Sequence, residues 1–508
     1  MTVLGRTRAV ALVGMRAHLI EVEAHLAASL PAFSLVGLPD AALSEARDRV
    51  RAAVACAGLT WPNRRITVNL SPATLPKSGS GFDLAVAVAV LAGAGVVDPN
   101  KVSSAVHLGE LGLDGRVRPV PGVLPAVAEA VAAGCSRVVV PAGNAAEARL
   151  IPGAEVAEAD HLARVASWYG ADVTVPDVVP VAYPALASTE AAVADLADVL
   201  GQDDARRGLE VAAAGAHHLL LVGPPGTGKT MLARRLPGLL PDLDEEASVE
   251  ATSVHSVAGT FDPAQGLLRR PPFEDPHHTA SPAAIVGGGT GVARPGAASR
   301  AHRGVLFLDE APHFATQVLQ SLRQPLEHGE LVLHRAAGAV RYPARFQLVM
   351  AANPCPCGRY AGKGVGCTCR AEARRRYFSR LSGPLLDRVD LQLEVPPPRS
   401  SSAAGEGTAQ VATRVAQARG RARARLAGTR WLTNAEVPGA WLRARTARDD
   451  PITRELGEAV DRGWLSLRGA DRVLRVAWTL ADLAGEERPG VDHVGEAMML
   501  RTRAGAHD

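Results

Sequence analysis

The sequence predicts an α/β protein: a P-loop core on a parallel sheet, preceded by a domain of mixed strands and helices and followed by a helical one. Three observations carry this. Short strand-like runs alternate with Ala-rich helical ones as far as Pro396. An apolar strand, a glycine-rich loop and a helical run follow one another between His218 and Leu236. From Thr408 onward the text reads as helix throughout. At 508 residues there is room for about three domains.

The first is placed at 1–172. Arg65–Leu70 (RITVNL) and Arg137–Pro141 (RVVVP) read as strands, and Phe82–Ala94 as an apolar helix. Residues 173–194 open with a low-charge, Pro-rich stretch without helical period and are read as a linker. The second domain is set at 195–396, a second linker rich in Pro, Ser and Gly at 397–407, and the helical domain at 408–508.

Composition narrows the function. The chain has 55 basic and 52 acidic residues, a formal net charge of +3. That balance excludes a uniformly basic coat for nucleic acid, though not a local basic face. Six Trp, five Tyr and eight Phe are too few for a long single-strand stacking platform. The start, Met1 to Gly14, lacks a signal-peptide pattern, and no uncharged apolar run approaches a membrane span. A soluble, cytoplasmic protein without a membrane partner is expected. The basic residues are lopsided. Lysine occurs only at Lys77, Lys101, Lys229 and Lys363 against 51 arginines.

One of those lysines has a chemical reason. His218–Val222 (HLLLV) leads into Gly223-Pro224-Pro225-Gly226-Thr227-Gly228-Lys229-Thr230, the G-x-x-x-x-G-K-T pattern in its strand–loop–helix setting. Glycines let backbone amides turn toward phosphate oxygens, and the helix start adds positive potential. Lys229 is expected to reach the β and γ phosphates of ATP and Thr230 to ligate Mg2+. A compact ammonium fits between phosphates where a planar guanidinium does not. The partner strand is Gly304–Glu310 (GVLFLDE), with Asp309 expected to hold magnesium and Glu310 to polarise the attacking water. A third strand, Gln347–Ala352, ends at Asn353, whose amide is placed to orient that water.

These motifs, with Arg388 after Leu385-Leu386-Asp387 and Ser466-Leu467-Arg468 opening a long helix, resemble an AAA+ ATPase. More narrowly, "PFEDPHHTASPAAIVGGG" (Pro272–Gly289), "RGVLFLDEAPHF" and "ANPCPCG" are similar to the magnesium-chelatase-like proteins of the ComM/YifB family, over essentially the whole length. The resemblance implies a homo-oligomeric ring, a hexamer, with ATP between subunits. It makes Asn353 the first sensor, Arg388 the arginine finger offered to a neighbour and Arg468 the second sensor of the lid. It also makes Asp198–Gln202 (DVLGQ) the lining of the adenine pocket. The N-terminal domain resembles the proteolytic domain of Lon, but its serine position falls on Gly81 and its lysine position on Leu124. Lys77, Ser78 and Ser80 lie nearby, and the expectation is a Lon-like fold without the Ser–Lys dyad and without proteolysis.

Four of the six cysteines form two C-x-C pairs, Cys355 with Cys357 and Cys367 with Cys369, nine residues apart; Cys56 and Cys135 stand alone in apolar surroundings. A structural tetrahedral zinc, a redox pair or free thiols all fit that spacing, and zinc fits best. Candidate DNA contacts are Arg370, Arg374, Arg375, Arg376 and Arg380, the run Arg419–Arg425, and Arg335 and Arg341 in a hairpin at Leu331–Pro343. For either basic run a solvated face or a subunit contact is the plainer reading. His277 and His278 are adjacent and so poorly placed for one ion; a structural or pore-loop role is expected. The ring is then read as a motor on single-stranded or branched DNA, as in branch migration during recombination or transformation. The alternative is a chelatase-type remodeller of a protein partner or metal-insertion complex.

Overall fold

The computed structural model describes residues 3–40, 43, 45–183, 194–289, 293–335, 338–360, 366–381, 383–397, 405–445 and 451–501. Along Arg16–Ala27 buried and open positions alternate through the second half, the two-residue period of a strand with one covered face. This strand pairs antiparallel with Val3–Val13 on one side and Arg65–Ser71 on the other. Ala32–Val36 adds to one edge, and Val106–His107, Arg137–Pro141 and Glu155–Ala159 extend the other, completing seven strands. Helix Asp83–Gly93 is apolar on every side and buried at all eleven positions, as the central prop of a domain must be. A 3-10 turn, Ser80–Phe82, takes the first residue of the expected helix.

The second domain is built on five strands in the order Phe273–Glu274, Val305–Leu308, Gln347–Ala352, Leu219–Val222 and Leu391–Glu394. All neighbours are parallel. The three central strands are continuous apolar runs because both faces are covered. One face packs on Ile285, Phe314, Leu319 and Leu385. The other joins the core of the C-terminal helices, where Val415, Val473, Ala477 and Trp478 meet Leu219, Leu221 and Leu391. Those helices, chiefly Thr408–Arg425, Pro451–Asp461, Leu467–Ala484 and Val491–Met499, bear out the helical reading.

Helix Glu245–Ala258 joins the first two domains. Ser256 donates its hydroxyl to buried Glu147 and accepts from the Gly122 amide at 3.2 Å. Phe261 just beyond it lies in the core formed by Val10, Val123 and Val127. A second contact lies at the expected hairpin, Glu330–Arg335 with Gly338–Pro343. Gly14, at φ 66°, closes the first β-turn against it; a Cβ there would stand 2.5 Å from the Arg341 carbonyl oxygen. Among the described residues no helix is long and apolar enough to cross a membrane.

Candidate functional site

In a parallel sheet every strand ends at the same edge, and loops leaving that edge share one crevice. Val222 delivers Gly223, whose amide donates to Ala352 O at 3.2 Å, so the glycine-rich loop lies against the end of the strand that leads to Asn353. Gly226 and Gly228 take φ of 78° and 88°, the left-handed turn that exposes the loop amides. Helix Lys229–Ala233 starts there. The Lys229 ammonium is buried and donates to Gly223 O at 2.7 Å, Pro224 O at 2.8 Å and Asn353 Oδ1 at 3.3 Å. Burial lowers its pKa, while Asp309 and Glu310 pull it back up. Thr230 donates to Asp309 Oδ2 at 2.6 Å, which sets a hydroxyl and a carboxylate side by side as a hard-cation pair. Thr227 closes the loop on Pro224 O at 3.0 Å.

Glu310 follows at φ 50° and ψ 42°, a left-handed conformation that costs a side-chain-bearing residue about 1–2 kcal/mol. Its amide donates to Asp309 Oδ1 at 2.9 Å. Its carboxylate stays half exposed, with His278 Nδ1 at 3.7 Å. The histidine pair, expected in a structural or pore-loop role, thus has one member beside Glu310. His278 stacks with His277 at 4.1 Å and meets His313 edge-on at 6.0 Å; His313 in turn meets Tyr377 at 5.7 Å. Burial raises the Tyr377 pKa to about 12, so it stays a neutral phenol. His313 and Tyr377 were invisible as site residues in the sequence, because only the fold brings the helix after the cysteines back to Glu310.

Gln202, read as adenine-pocket lining, is buried beside the loop, its amide directed to Thr227 O and Pro396 O. Lys229, Thr230, Asp309, Glu310, Asn353 and Gln202 thus converge. Arg388 and Arg468 do not join them. The amides of Asp390 and Leu391 bond to His218 O, so Arg388 stands ahead of the sheet's first residues, at the edge opposite the loop. Four-residue strands separate the two edges by about 13 Å. There Arg388 pairs with Glu327, and Asp387 draws Arg468 to 3.7 Å and Arg472 to 3.8 Å. Burial and the guanidiniums of Arg323, Arg468 and Arg472 push the Arg388 pKa down. A cleft of about 940 Å³ between sheet edge and helical domain holds this cluster.

The other basic candidates divide. Arg419, Arg421 and Arg425 are tied to Ala213 O, Asp482 O and the Asp482 carboxylate, so three of that run's four arginines serve packing, while Arg423 is exposed and lines the same cleft. Arg341 pairs with Glu330 across the hairpin, and the Arg335 side chain lies outside the described residues. Arg370, Arg375 and Arg380 are exposed on or beside helix Ala371–Ser379, with Arg376 paired to Glu372 and Arg374 over the Tyr360 ring. In the first domain Lys77 is buried and bonds to Pro72 O, while Ser80 donates to Glu110. Gly81 lies in the 3-10 turn and Leu124 is buried in helix Val123–Ala132. The four cysteine sulfurs lie together within 4.8 Å.

Family models agree with this layout. "Magnesium chelatase, subunit ChlI" matches residues 195–403, "Subunit ChlI of Mg-chelatase" residues 22–144, and "Magnesium chelatase, subunit ChlI C-terminal" residues 405–501. An uncharacterized protein of Mycobacterium tuberculosis is 52% identical over 501 residues, covering 98% of either chain. The uncharacterized protein YifB of Escherichia coli is 41% identical over 507 residues, 97% of this chain and 96% of its own. The competence protein ComM of Haemophilus influenzae is 40% identical over 496 residues, 96% and 95% respectively.

Proposed function

The chain belongs to the ComM/YifB-type magnesium-chelatase-like family, and from that premise we propose that it is an AAA+ ATPase working as a homo-oligomeric, hexameric ring motor on DNA in the cytoplasm. The observation that carries the reading is the division of charged groups between the two edges of one parallel sheet. Lys229, Thr230, Asp309, Glu310 and Asn353 meet at the C-terminal edge, whereas Arg388 and Arg468 meet at the other. An ATP site whose expected finger, Arg388, stands at the opposite sheet edge is completed by a neighbouring copy that presents that edge. Cyclic repetition of that contact closes a ring.

Each side chain then has a task. Lys229 exchanges loop carbonyls for phosphate oxygens. Thr230 and Asp309 hold magnesium, which when bound offsets phosphate charge. Glu310 takes the proton of the attacking water; His278 holds that carboxylate while the site waits, and Asn353 orients the water. Arg388 and Arg468 of the adjoining copy stabilise charge in the transition state, as arginine fingers do. The N-terminal domain is Lon-like without proteolysis, because the Lys77 amine and Ser80 hydroxyl have separate partners.

For the DNA substrate, support comes from the exposed arginines of helix Ala371–Ser379 and from the likeness to a competence protein. The test is ATPase rate at low salt with and without single-stranded or branched DNA. Stimulation that fades as salt rises is expected. No stimulation by either DNA overturns the motor, and a rate that responds instead to a protein partner favours the chelatase-type remodeller.

A further inference from the structure

Helix Ala371–Ser379 reaches the nucleotide site through the cysteine cluster, and that cluster has the geometry of a closed metal centre. Cys355 Sγ stands 3.3 Å from Cys357 Sγ and 3.6 Å from Cys367 Sγ, with 3.7 Å between Cys357 and Cys367. All four sulfurs, Cys369 included, lie within 4.8 Å of one another. A tetrahedron with Zn–S bonds of about 2.3 Å sets its sulfurs about 3.8 Å apart, close to these separations and far beyond a disulfide's roughly 2 Å. Among the described residues no other set of His, Cys, Asp and Glu has such spacing. Cys355 is buried and the other three half-buried, and four thiolates fill the positions of a tetrahedral ion, leaving none for a substrate. The Cys369 amide faces Cys367 Sγ at 3.4 Å. Arg374 donates to Cys369 O at 3.1 Å while lying over the Tyr360 ring at 4.2 Å, placing a positive charge beside the sulfurs.

The cluster is also fastened to both walls of the nucleotide site. Cys355 comes two residues after Asn353. Gly358 turns back at φ 74°, its amide on Cys355 O at 2.9 Å, and lies so close to the glycine-rich loop that a Cβ would meet the Pro225 ring at 2.7 Å. A chain with two C-x-C pairs and no metal has little apolar packing to hold this turn in place, since among the described residues from 355 to 360 and 366 to 369 only Cys355 and Gly358 are buried.

We propose that Cys355, Cys357, Cys367 and Cys369 bind one zinc ion as thiolates, and that the filled knuckle braces Pro225 and Asn353 so that the nucleotide site is pre-formed. Binding forms four Zn–S bonds and releases the four thiol protons, leaving a complex of net charge 2− beside Arg374. The metal stands independently of the proposed ATPase; the bracing rests on it.

The test uses the full chain, purified without chelator. Elemental analysis is expected to find one zinc per chain. A mercurial displaces the zinc, a chelator takes up the released ion, excess thiol removes the mercurial from the sulfurs, and both are dialysed away. Added cobalt(II) is then expected to give the d–d bands of a tetrahedral ion together with sulfur-to-cobalt charge transfer. No stoichiometric metal and no charge-transfer band overturn the site, and stoichiometric iron overturns the choice of zinc. The doubly substituted Cys367→Ser, Cys369→Ser chain should lose the metal and bind ATP about tenfold more weakly, with its circular dichroism retained. Metal-free chain with unchanged ATP affinity refutes the brace and leaves the zinc. If that variant fails to fold, ATP affinity of the native chain before and after mercurial stripping decides the brace. Native chain that carries zinc but binds no ATP speaks against the ATPase reading instead.

Discussion

Removing the amine of Lys229 isolates what this lysine contributes beyond the loop that surrounds it. In the structure the ammonium already makes three hydrogen bonds, at 2.7, 2.8 and 3.3 Å, to Gly223 O, Pro224 O and Asn353 Oδ1. Binding ATP therefore does not add bonds to a bare charge; it trades two bonds to neutral carbonyls for two bonds to charged phosphate oxygens. Hydrogen bonds that involve a charged group contribute about 1.5–3 kcal/mol. With the carbonyl bonds at the low end of that range and the phosphate bonds at the high end, each exchange gains up to about 1.5 kcal/mol and the pair up to about 3 kcal/mol. Lys229→Ala forfeits that gain, and the affinity for ATP falls about 100-fold. Lys229→Arg should recover little, because a planar fork does not fit among three acceptors arranged for a point charge. The assay is equilibrium titration of a fluorescent ATP analogue with excess magnesium, checked by circular dichroism for retained fold. Affinity of Lys229→Ala within about threefold of the native chain would refute the assignment, since then the ammonium is a strut of the empty loop and not a phosphate ligand.

Glu310→Gln keeps the size of the side chain and its hydrogen-bonding end but not its basicity. It should bind ATP like the native chain and hydrolyse it at least about 100-fold more slowly, read by single-turnover phosphate release. Arg388→Ala should leave nucleotide affinity unchanged within about twofold yet stop turnover. Mixing it with Lys229→Ala should restore part of the rate, because some contacts then join an intact loop to an intact arginine; a mixture as inactive as its components would contradict shared sites. His107 gives a pH signature in the first domain. It is wholly buried between the Thr7 and Tyr169 hydroxyls, each 2.7 Å away, and burial lowers its pKa from 6.5 to about 3. Below pH 6.5 the unfolded chain takes up a proton that the folded ring refuses, so stability present above 6.5 is lost as pH falls toward 3. Between pH 6.5 and about 5 that loss is about 2 kcal/mol. His107→Gln, whose amide can bond to both hydroxyls, should flatten this slope in denaturant titrations, and an equal slope in both proteins would place the proton uptake elsewhere.

Much of the core was legible because its signals are local. Strand, loop and helix follow one another at Lys229, and an apolar strand ends in Asp309 and Glu310, so hydrophobic runs and glycine positions suffice to place the chemistry. Helix Asp83–Gly93 and the hairpin of Glu330–Arg335 with Gly338–Pro343 were legible for the same reason. What escaped is long-range. Arg419, Arg421 and Arg425 look in the sequence like one basic stripe, but on the helix Arg421 and Arg425 share one face toward Asp482 while Arg419 turns toward Ala213, and that packing decides their use. Arginine is the common cation of this chain, so residue type carried no hint of which guanidinium faces solvent.

The separation of Arg468 from Lys229 matters most for how the molecule works. As a lid sensor, Arg468 would act on the nucleotide of its own chain, and lid motion would report that chain's own ATP. Its 3.7 Å approach to Asp387, the residue before Arg388, puts it on the opposite edge, where the buried Arg472 also reaches Asp387 at 3.8 Å. Under the proposed ring, Arg388 and Arg468 are then presented to the same neighbouring site. The first domain reaches the same machinery from another side. Helix Glu245–Ala258 is bonded through Ser256 to Glu147 of that domain, while its other residues grip the start of the Asp309 strand: His255 bonds to Arg300 O at 3.0 Å, and Glu250 pairs with Arg303 at 2.8 Å, one residue before Gly304. Burial works against the Glu250 charge, but His302 and Arg303 prevail and hold its pKa at about 2, so this grip stays ionised at any physiological pH. One helix thus makes a continuous chain of contacts from the N-terminal domain to the strand that ends in Glu310, and under the proposed ATPase that path is where the N-terminal domain would act on hydrolysis.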